Sequence, residues 1–228
     1  MSRLQPVHIP NIRSLWLQEA LGQEPDAERV EPLTGAHRTD VCIVGGGYTG
    51  LWTALRIKEL DPSVEVMLLE ADICGAGASG RNGGLALGWW PKVETLVKIC
   101  GQEEGIRLAK AAAAAVAEIG QFCQDHGIDA HFRQSGFLRL ATSPIQLANL
   151  ESSVATCKRY GLDVYQQLTP EEAKARGGSP VYVGGFLDPT GGVVQPALLA
   201  RGMRRVALER GVRIFERTPV VALDEGHP

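Results

Sequence analysis

The chain has 228 residues, of which 44% are hydrophobic and 21% charged, which is typical of a globular protein and excludes disordered and fibrous proteins. Its formal net charge of −3 gives no general electrostatic attraction to nucleic acid or to anionic lipid. No apolar run approaches the roughly 20 residues of a membrane helix and the N-terminus lacks the apolar core of a signal peptide, so we expect a cytoplasmic location and no membrane partner.

Residues 1–38 are expected to form an N-terminal extension that lies on the main body of the protein. Prolines and charged residues are frequent there, and only "NIRSLWLQEAL" predicts a short helix.

Residues 39–90 begin with the pattern of a βαβ unit. The apolar run 41–44 ends at three glycines and is followed by Leu51, Ala54 and Leu55 at helical spacing. The next apolar run, "VEVMLLE", shows little alternation, as expected of a parallel strand that is buried on both faces.

Residues 91–187 predict an inserted region of mixed α/β structure. The stretch "GIRLAKAAAAAVAEIGQFCQDHG" predicts a helix that Gly127 ends at positive φ. We expect two short strands in "HFRQSGFLRLAT", on either side of Ser135-Gly136. Thr169 and Glu172 have the spacing of a capping box at the start of a later helix.

Residues 188–228 predict a return to the domain that holds the βαβ unit. A helix is expected between Pro196 and Gly211, followed by the strand-like runs "VRIFE" and "VVAL". The fold class is therefore α/β: a Rossmann-type βαβ unit with a parallel sheet, plus the inserted mixed region, incomplete at the C-terminus.

The five cysteines are odd in number and form neither a CxxC pair nor a cluster with metal-ligand spacing. We therefore expect reduced thiols that serve packing, with no metal site and no redox disulfide.

The βαβ unit carries the fingerprint Gly45-x-Gly47-x-x-Gly50 between its first strand and its helix. In such a unit these glycines allow a tight turn, the close approach of a pyrophosphate and close packing of helix on strand, while the helix N-terminus faces the phosphates. Glu70 follows the second strand, where a carboxylate accepts hydrogen bonds from ribose hydroxyls and repels the 2′-phosphate of NADP. The pattern predicts dinucleotide binding.

The stretch "GAGASGRNGG", residues 75–84, distinguishes between the two dinucleotides that share this fingerprint. We call it the glycine-rich loop. It is longer than a strand-to-helix connection requires, and it lies at the carboxyl edge of the predicted sheet. The longer cofactor FAD accounts for it better than NAD, since main-chain N–H groups of the loop can line the path from pyrophosphate to flavin, with Arg81 and Asn82 adding a charge and amide donors.

These stretches resemble the FAD-dependent oxidoreductases of the D-amino-acid oxidase and glycine oxidase superfamily, in particular its gamma-glutamylputrescine oxidase-like branch. The resemblance rests on "DVCIVGGGYTGLWTALRIKEL", "LLEAD", "GAGASGRNGG", "SLWLQEAL", "DPTGGVVQPALLARG" and "RTPVVAL". It implies FAD as cofactor, with residues 39–90 as the part that binds its ADP moiety. The residues implied to contact FAD are Gly45, Gly47, Tyr48, Thr49, Gly50, Glu70, Ala71, Ala78, Ser79, Gly80, Arg81, Asn82, Gly83, Gly84 and Val220.

The resemblance implies oxidation of the C–N bond of an amine, an amino acid or a polyamine derivative, by hydride transfer to flavin N5, hydrolysis of the imine and reoxidation by oxygen. It extends to the N-terminal half of such enzymes only, so a complementary C-terminal segment or a second chain is a further expected partner. No catalytic residue is nominated; Arg81 is the candidate for acting near the flavin, and anchoring of the loop is its alternative role.

Two other interpretations remain open. An inactive or split half-protein would bind nucleotide or a partner chain without catalysis. An NAD-linked dehydrogenase would share the fingerprint and Glu70, but it would leave the glycine-rich loop unexplained.

Overall fold

The computed structural model describes residues 2–3, 12–24 and 30–224. The chain divides into two compact units, the first comprising residues 1–83, 126–130 and 195–228 and the second residues 84–125 and 131–194. In chain order the strands and helices are β1 (Ser2–Arg3), α1 (Leu15–Gln23), β2 (Val41–Val44), α2 (Tyr48–Leu60), β3 (Val66–Leu69), β4 (Leu85–Ala86), α3 (Val93–Cys100), α4 (Gln102–Asp125), β5 (Phe137–Ala141), α5 (Pro144–Arg159), β6 (Gln166–Leu168), α6 (Pro170–Gly177), β7 (Gly184–Asp188), β8 (Gly192–Val193), α7 (Pro196–Glu209), β9 (Arg213–Phe215) and β10 (Ala222–Leu223).

The first unit contains a parallel sheet in the order β2-β3-β9. Val41 lies opposite Val66, and Leu69 lies opposite Phe215. The first three residues of β3 are buried, as expected of a central parallel strand. The α/β fold with a parallel sheet, predicted from sequence, is confirmed.

The helices of the first unit form in the predicted stretches, although α1, expected within residues 11–21, begins four residues later and spans Leu15–Gln23. Ser14 caps α1 by accepting a hydrogen bond from the Leu17 N–H, and Gln195 caps α7 in the same way through the Leu198 N–H. Helix α2 begins after Gly47 and buries one stripe of apolar side chains. Helix α7 packs against both α1 and α2, so the N-terminal helix belongs to the first unit.

The second unit contains an antiparallel sheet in the order β5-β7-β6 and a separate ribbon of β4 and β8. Its core includes Trp90, Val93, Cys157 and Phe186, whereas Trp89 is half exposed. Helix α6 carries the predicted capping box.

One secondary-structure prediction in the second unit is wrong in part. Of the two strands expected on either side of Ser135-Gly136, only β5 forms. The residues before the turn contribute a single bridge, between Arg133 and Val193, because they pair with the chain near β8 instead of folding back on β5.

Candidate cofactor site

The turn after β2 has the geometry that its glycines predict. Gly45 adopts a φ of +105°, in the region that side chains disfavour, and its N–H donates to the Leu69 carbonyl oxygen at 2.8 Å. A Cβ on Gly50 would overlap the Gly45 carbonyl oxygen and lie 3.2 Å from the Ile43 side chain. The helix can therefore approach the strand only with glycine at this position.

Glu70, directly after β3, points its carboxylate at this turn. Oε2 accepts a hydrogen bond from the Gly46 N–H at 2.6 Å, and Oε1 accepts one from the Asp72 N–H at 2.9 Å. Its main chain is fixed as well, since its N–H donates to Phe215 and its carbonyl accepts from the Thr218 N–H. A carboxylate has about four acceptor positions, so two remain for hydroxyl donors.

The N-terminus of α2 is met by the glycine-rich loop. The Tyr48 N–H, in the first turn of the helix, donates to the Ser79 hydroxyl at 2.9 Å. Gly47 precedes it without a side chain, and a Cβ there would lie 3.0 Å from the Ser79 oxygen. The first-turn amides of a helix have no intrahelical acceptor and carry a partial positive charge, which suits a phosphate.

Two of the three polar side chains of the loop, those of Arg81 and Asn82, hold the loop itself. Arg81 Nε donates to the Ala76 carbonyl at 2.8 Å, and Asn82 Nδ2 donates to the carbonyls of Ala78 and Ser79 at 3.1 and 3.0 Å. Around them the turn Ala78–Gly80 forms a short 3₁₀ helix. These contacts favour loop anchoring as the role of Arg81.

Behind the loop lies a buried group of charges that sequence reasoning missed. The Glu216 carboxylate, after β9, accepts hydrogen bonds from Arg201 Nη1 at 2.8 Å, from Arg204 Nε at 2.9 Å and from the Cys74 N–H at 2.9 Å. Arg201 also donates to the Cys74 carbonyl at 3.2 Å and pairs with Glu24. We call Glu24, Arg201, Arg204 and Glu216 the buried charge cluster.

The buried charge cluster fixes the chain at Cys74, and Cys74 supports the glycine turn after β2, residues 45–47, which we call the nucleotide turn. A Cβ on Gly46 would overlap the Cys74 sulfur, and the Gly75 N–H donates to the Gly46 carbonyl at 3.0 Å. Burial, and next the negative charge of Glu216, raise the pKa of the Cys74 thiol far above its usual range. This thiol therefore packs as a neutral group. The sequence signal for the cluster was an arginine pair, three apart, on the apolar stripe of α7.

The other predicted site residues take less specific positions. Thr49 is exposed in the first turn of α2, and Ala71 is half-buried between Glu70 and Asp72. Val220 is half-buried two residues beyond Thr218. Gly83 is exposed at the end of the first unit, while Gly84 is buried and begins the second.

Comparison with known proteins shows the family to which the chain belongs. The sequence model described as FAD dependent oxidoreductase (DAO) matches residues 40–228, more than half of the chain. The chain belongs to the FAD dependent oxidoreductases. FAD is accordingly the cofactor to fit to the site. The partly buried Glu70 carboxylate suits the ribose of FAD, and the first turn of α2 with Gly47 suits its pyrophosphate.

Curated relatives in this family are much longer than the matched region. The chain is 33% identical over 190 residues to gamma-glutamylputrescine oxidoreductase of Escherichia coli, covering 83% of this chain and 44% of that protein. It is 30% identical over 196 residues to the probable oxidoreductase OrdL of Haemophilus influenzae, covering 85% and 45%. The chain thus spans about half the length of the curated relatives it matches.

Solved structures share the fold. Glycine oxidase from Geobacillus kaustophilus superposes with a TM-score of 0.65 at 23% identity, over 80% of this chain and 47% of that one. L-amino acid deaminase from Proteus myxofaciens superposes with a TM-score of 0.64 at 21% identity, over 84% and 41%. None of the helices in the described part of the chain has the length and apolar character to cross a membrane.

Proposed function

We propose that the chain is the FAD-binding part of an oxidoreductase that oxidises the C–N bond of an amine. The observation that carries the proposal is the Glu70 carboxylate, held by the Gly46 and Asp72 N–H groups beside the first turn of α2. The family match over residues 40–228 supports FAD as the dinucleotide.

The residues of this chain act in the proposal by binding and orienting the cofactor. Glu70 accepts the ribose hydroxyls, the first-turn amides of α2 face the pyrophosphate, and the glycine-rich loop continues along the cofactor. Bound FAD would supply the acceptor, at its N5 atom, for a hydride from the carbon that bears nitrogen; the imine product would be hydrolysed by water, and oxygen would take up the two electrons.

The substrate class is proposed from the relatives. One is named gamma-glutamylputrescine oxidoreductase, and two structural neighbours are a glycine oxidase and an L-amino acid deaminase. We propose an amino acid or a polyamine derivative as substrate. We also propose that residues 39–90 and 188–228 serve the cofactor and residues 91–187 the substrate side. Because the relatives are about twice as long, a complementary segment or a second chain is the proposed source of the remaining contacts.

The test is a titration of the purified chain with FAD, read by flavin absorption and fluorescence, with acid precipitation to show whether the flavin is released. We expect saturable binding by the wild type. The variant Glu70→Gln should bind FAD about tenfold more weakly, because it loses the charge that makes the acceptor strong. Glu65→Gln is the matched control: Glu65 directly precedes β3, as Glu70 directly follows it, and its side chain is mostly exposed. Its FAD affinity should match that of the wild type.

The outcomes separate the three interpretations. Saturable FAD binding followed by peroxide formation with amines supports the oxidase. Quenching of tryptophan fluorescence by NADH, with no response to FAD, supports an NAD-linked dehydrogenase. A chain that takes up neither cofactor supports a half-protein that needs its complement, and equal FAD affinity of Glu70→Gln and Glu65→Gln overturns the assigned role of Glu70.

A further inference from the structure

Arg13 and Ser14, directly before α1, contact the chain at Asp72 and at Gly80 of the glycine-rich loop, although they precede the region matched by the family, residues 40–228. The Arg13 guanidinium binds the Asp72 carboxylate with both terminal nitrogens, Nη2 to Oδ1 at 2.7 Å and Nη1 to Oδ2. The Ser14 hydroxyl donates to the Gly80 carbonyl at 2.5 Å. Two adjacent residues thus hold two points that are eight residues apart in sequence.

Apolar packing keeps the helix in place between these polar contacts. Leu17 and Ala20 are fully buried and form a small cluster with Ala76 of the loop and Ala197 of α7. At the other end of α1, Glu24 pairs with Arg201, which binds the Cys74 carbonyl. The segment 13–24 therefore contacts the stretch 72–80 at its beginning and its end, and through Arg201 at Cys74.

Each polar contact is made to a residue that is directly bonded or hydrogen-bonded to a residue of the candidate FAD site. The Asp72 N–H donates to Glu70 Oε1, the carboxylate assigned to the ribose. Gly80 directly follows Ser79, whose hydroxyl accepts from the Tyr48 N–H at the N-terminus of α2. A displacement of Asp72 or Gly80 would therefore move Glu70 or Ser79 relative to the nucleotide turn.

We propose that residues 13–24 form a clamp that positions the glycine-rich loop for FAD, with Arg13 and Ser14 as its positioning residues. The clamp rests on the proposed function, because FAD is the ligand that the loop would hold. Neither residue contacts the cofactor in this proposal; both act through Glu70 and Ser79.

The decisive variant is Ser14→Asp. Aspartate is as good an N-cap as serine, so it keeps the bond to the Leu17 N–H and with it the helix, but a carboxylate cannot donate to the Gly80 carbonyl. Ser14→Thr keeps both the acceptor and the donor. The matched control is Ser143→Asp, the same change at the N-cap of α5, where Ser143 accepts from the Gln146 N–H.

Two readouts are measured on the full chain. Hydrogen exchange without cofactor should be about 3- to 10-fold faster across residues 72–84 in Ser14→Asp, since one hydrogen bond to the loop is lost. The FAD dissociation constant should rise by a similar factor of about 3 to 10. Ser14→Thr and Ser143→Asp should match the wild type in both, and all variants should keep the wild-type urea midpoint within about 0.5 M.

The two readouts keep the clamp and the proposed function apart. Unchanged exchange in residues 72–84 of Ser14→Asp overturns the clamp, whether or not the chain binds FAD. Faster exchange with an unchanged FAD dissociation constant also overturns it, because the loop would then move without consequence for the cofactor. A wild-type chain that takes up no FAD defeats the clamp together with the proposed function. If Ser14→Asp lowers the urea midpoint while Ser143→Asp does not, the Ser14 contact supports folding rather than the position of the loop, and Arg13→Lys decides. This variant keeps the positive charge beside Asp72 but loses the planar fork of the guanidinium. Unchanged hydrogen exchange across residues 72–84 in Arg13→Lys then overturns the clamp.

Discussion

Replacing Glu216 by glutamine removes the negative charge that Arg201 and Arg204 share. Glu216 is 3% exposed, Arg201 6% and Arg204 1%, so water cannot take over from the lost charge. The hydrogen bonds from Arg201, Arg204 and the Cys74 N–H all end at Glu216 Oε1. The amide oxygen of glutamine can take the place of Oε1, but it is a neutral and weaker acceptor, and the NH₂ group puts a donor where the carboxylate has its second acceptor oxygen.

The expected loss of stability follows from these burials. Removing one partner of a buried ion pair costs about 3–5 kcal/mol, and we expect the lower value of about 3 because one acceptor remains and Arg201 keeps Glu24. For a chain of this size each kcal/mol lowers the melting temperature by about 2–4 °C, so Glu216→Gln should melt about 6–12 °C below the wild type. Urea unfolding followed by circular dichroism measures the free energy directly.

The control is Glu209→Gln at the end of α7. Glu209 also pairs with an arginine, Arg205, at 2.6 Å, but its side chain is 54% exposed. An exposed pair contributes little, so this variant should stay within about 0.5 kcal/mol of the wild type. A Glu216→Gln variant within about 1 kcal/mol of the wild type would contradict the assignment of a buried, charge-dependent cluster.

Two further variants or measurements address the nucleotide turn and the thiols. Gly50→Ala should lower the free energy of unfolding by about 1–3 kcal/mol and abolish FAD uptake, because its Cβ would overlap the Gly45 carbonyl oxygen. In Gly22→Ala the Cβ meets open space on α1, so this variant should raise the free energy of unfolding by up to about 1 kcal/mol through helix propensity and should not weaken FAD uptake. Equal losses in the two variants would refute the steric argument. Of the five cysteines, the exposed Cys42 and Cys100 should react rapidly with Ellman's reagent at pH 8, and the buried thiols should react slowly. Cys74 should react slowest, because its raised pKa leaves almost no thiolate. A third rapidly reacting thiol in the native chain would contradict this expectation.

The βαβ unit was predictable because its determinants are close together in sequence. The run 41–44, the helical spacing after it and Glu70 lie within 30 residues, and each follows from strand or helix periodicity. The capping box at Thr169 and the positive φ of Gly127 were predictable for the same reason. Such features need no knowledge of which distant segments meet.

The buried charge cluster was not predicted because three of its members, Arg201, Arg204 and Glu216, lie within 15 positions of one another but meet Glu24 and the main chain of Cys74 from distant segments. Cys74 and Glu216 are 142 positions apart, and Arg201 and Glu24 are 177 apart. Glutamate and arginine are ordinary surface residues, and apart from the place of the arginine pair on the apolar stripe of α7 only their burial distinguishes them. The failed strand before Ser135 has the same origin, since Arg133 pairs with Val193 rather than with its sequence neighbours.

This difference follows from how the candidate site is built. The atoms that face the proposed cofactor are largely main-chain atoms, and main-chain exposure requires glycine, which leaves a pattern that is visible in sequence. Glycine main chain has few side chains to fix it, so beyond Arg81 and Asn82 of the loop itself the support comes from other segments. Arg13 binds the Asp72 carboxylate, and Ser14, Arg201 and Glu216 bind backbone atoms of the segment 72–80. A glycine motif therefore predicts where a nucleotide can lie, while under the proposed function the affinity of this chain for FAD also depends on polar side chains outside that motif.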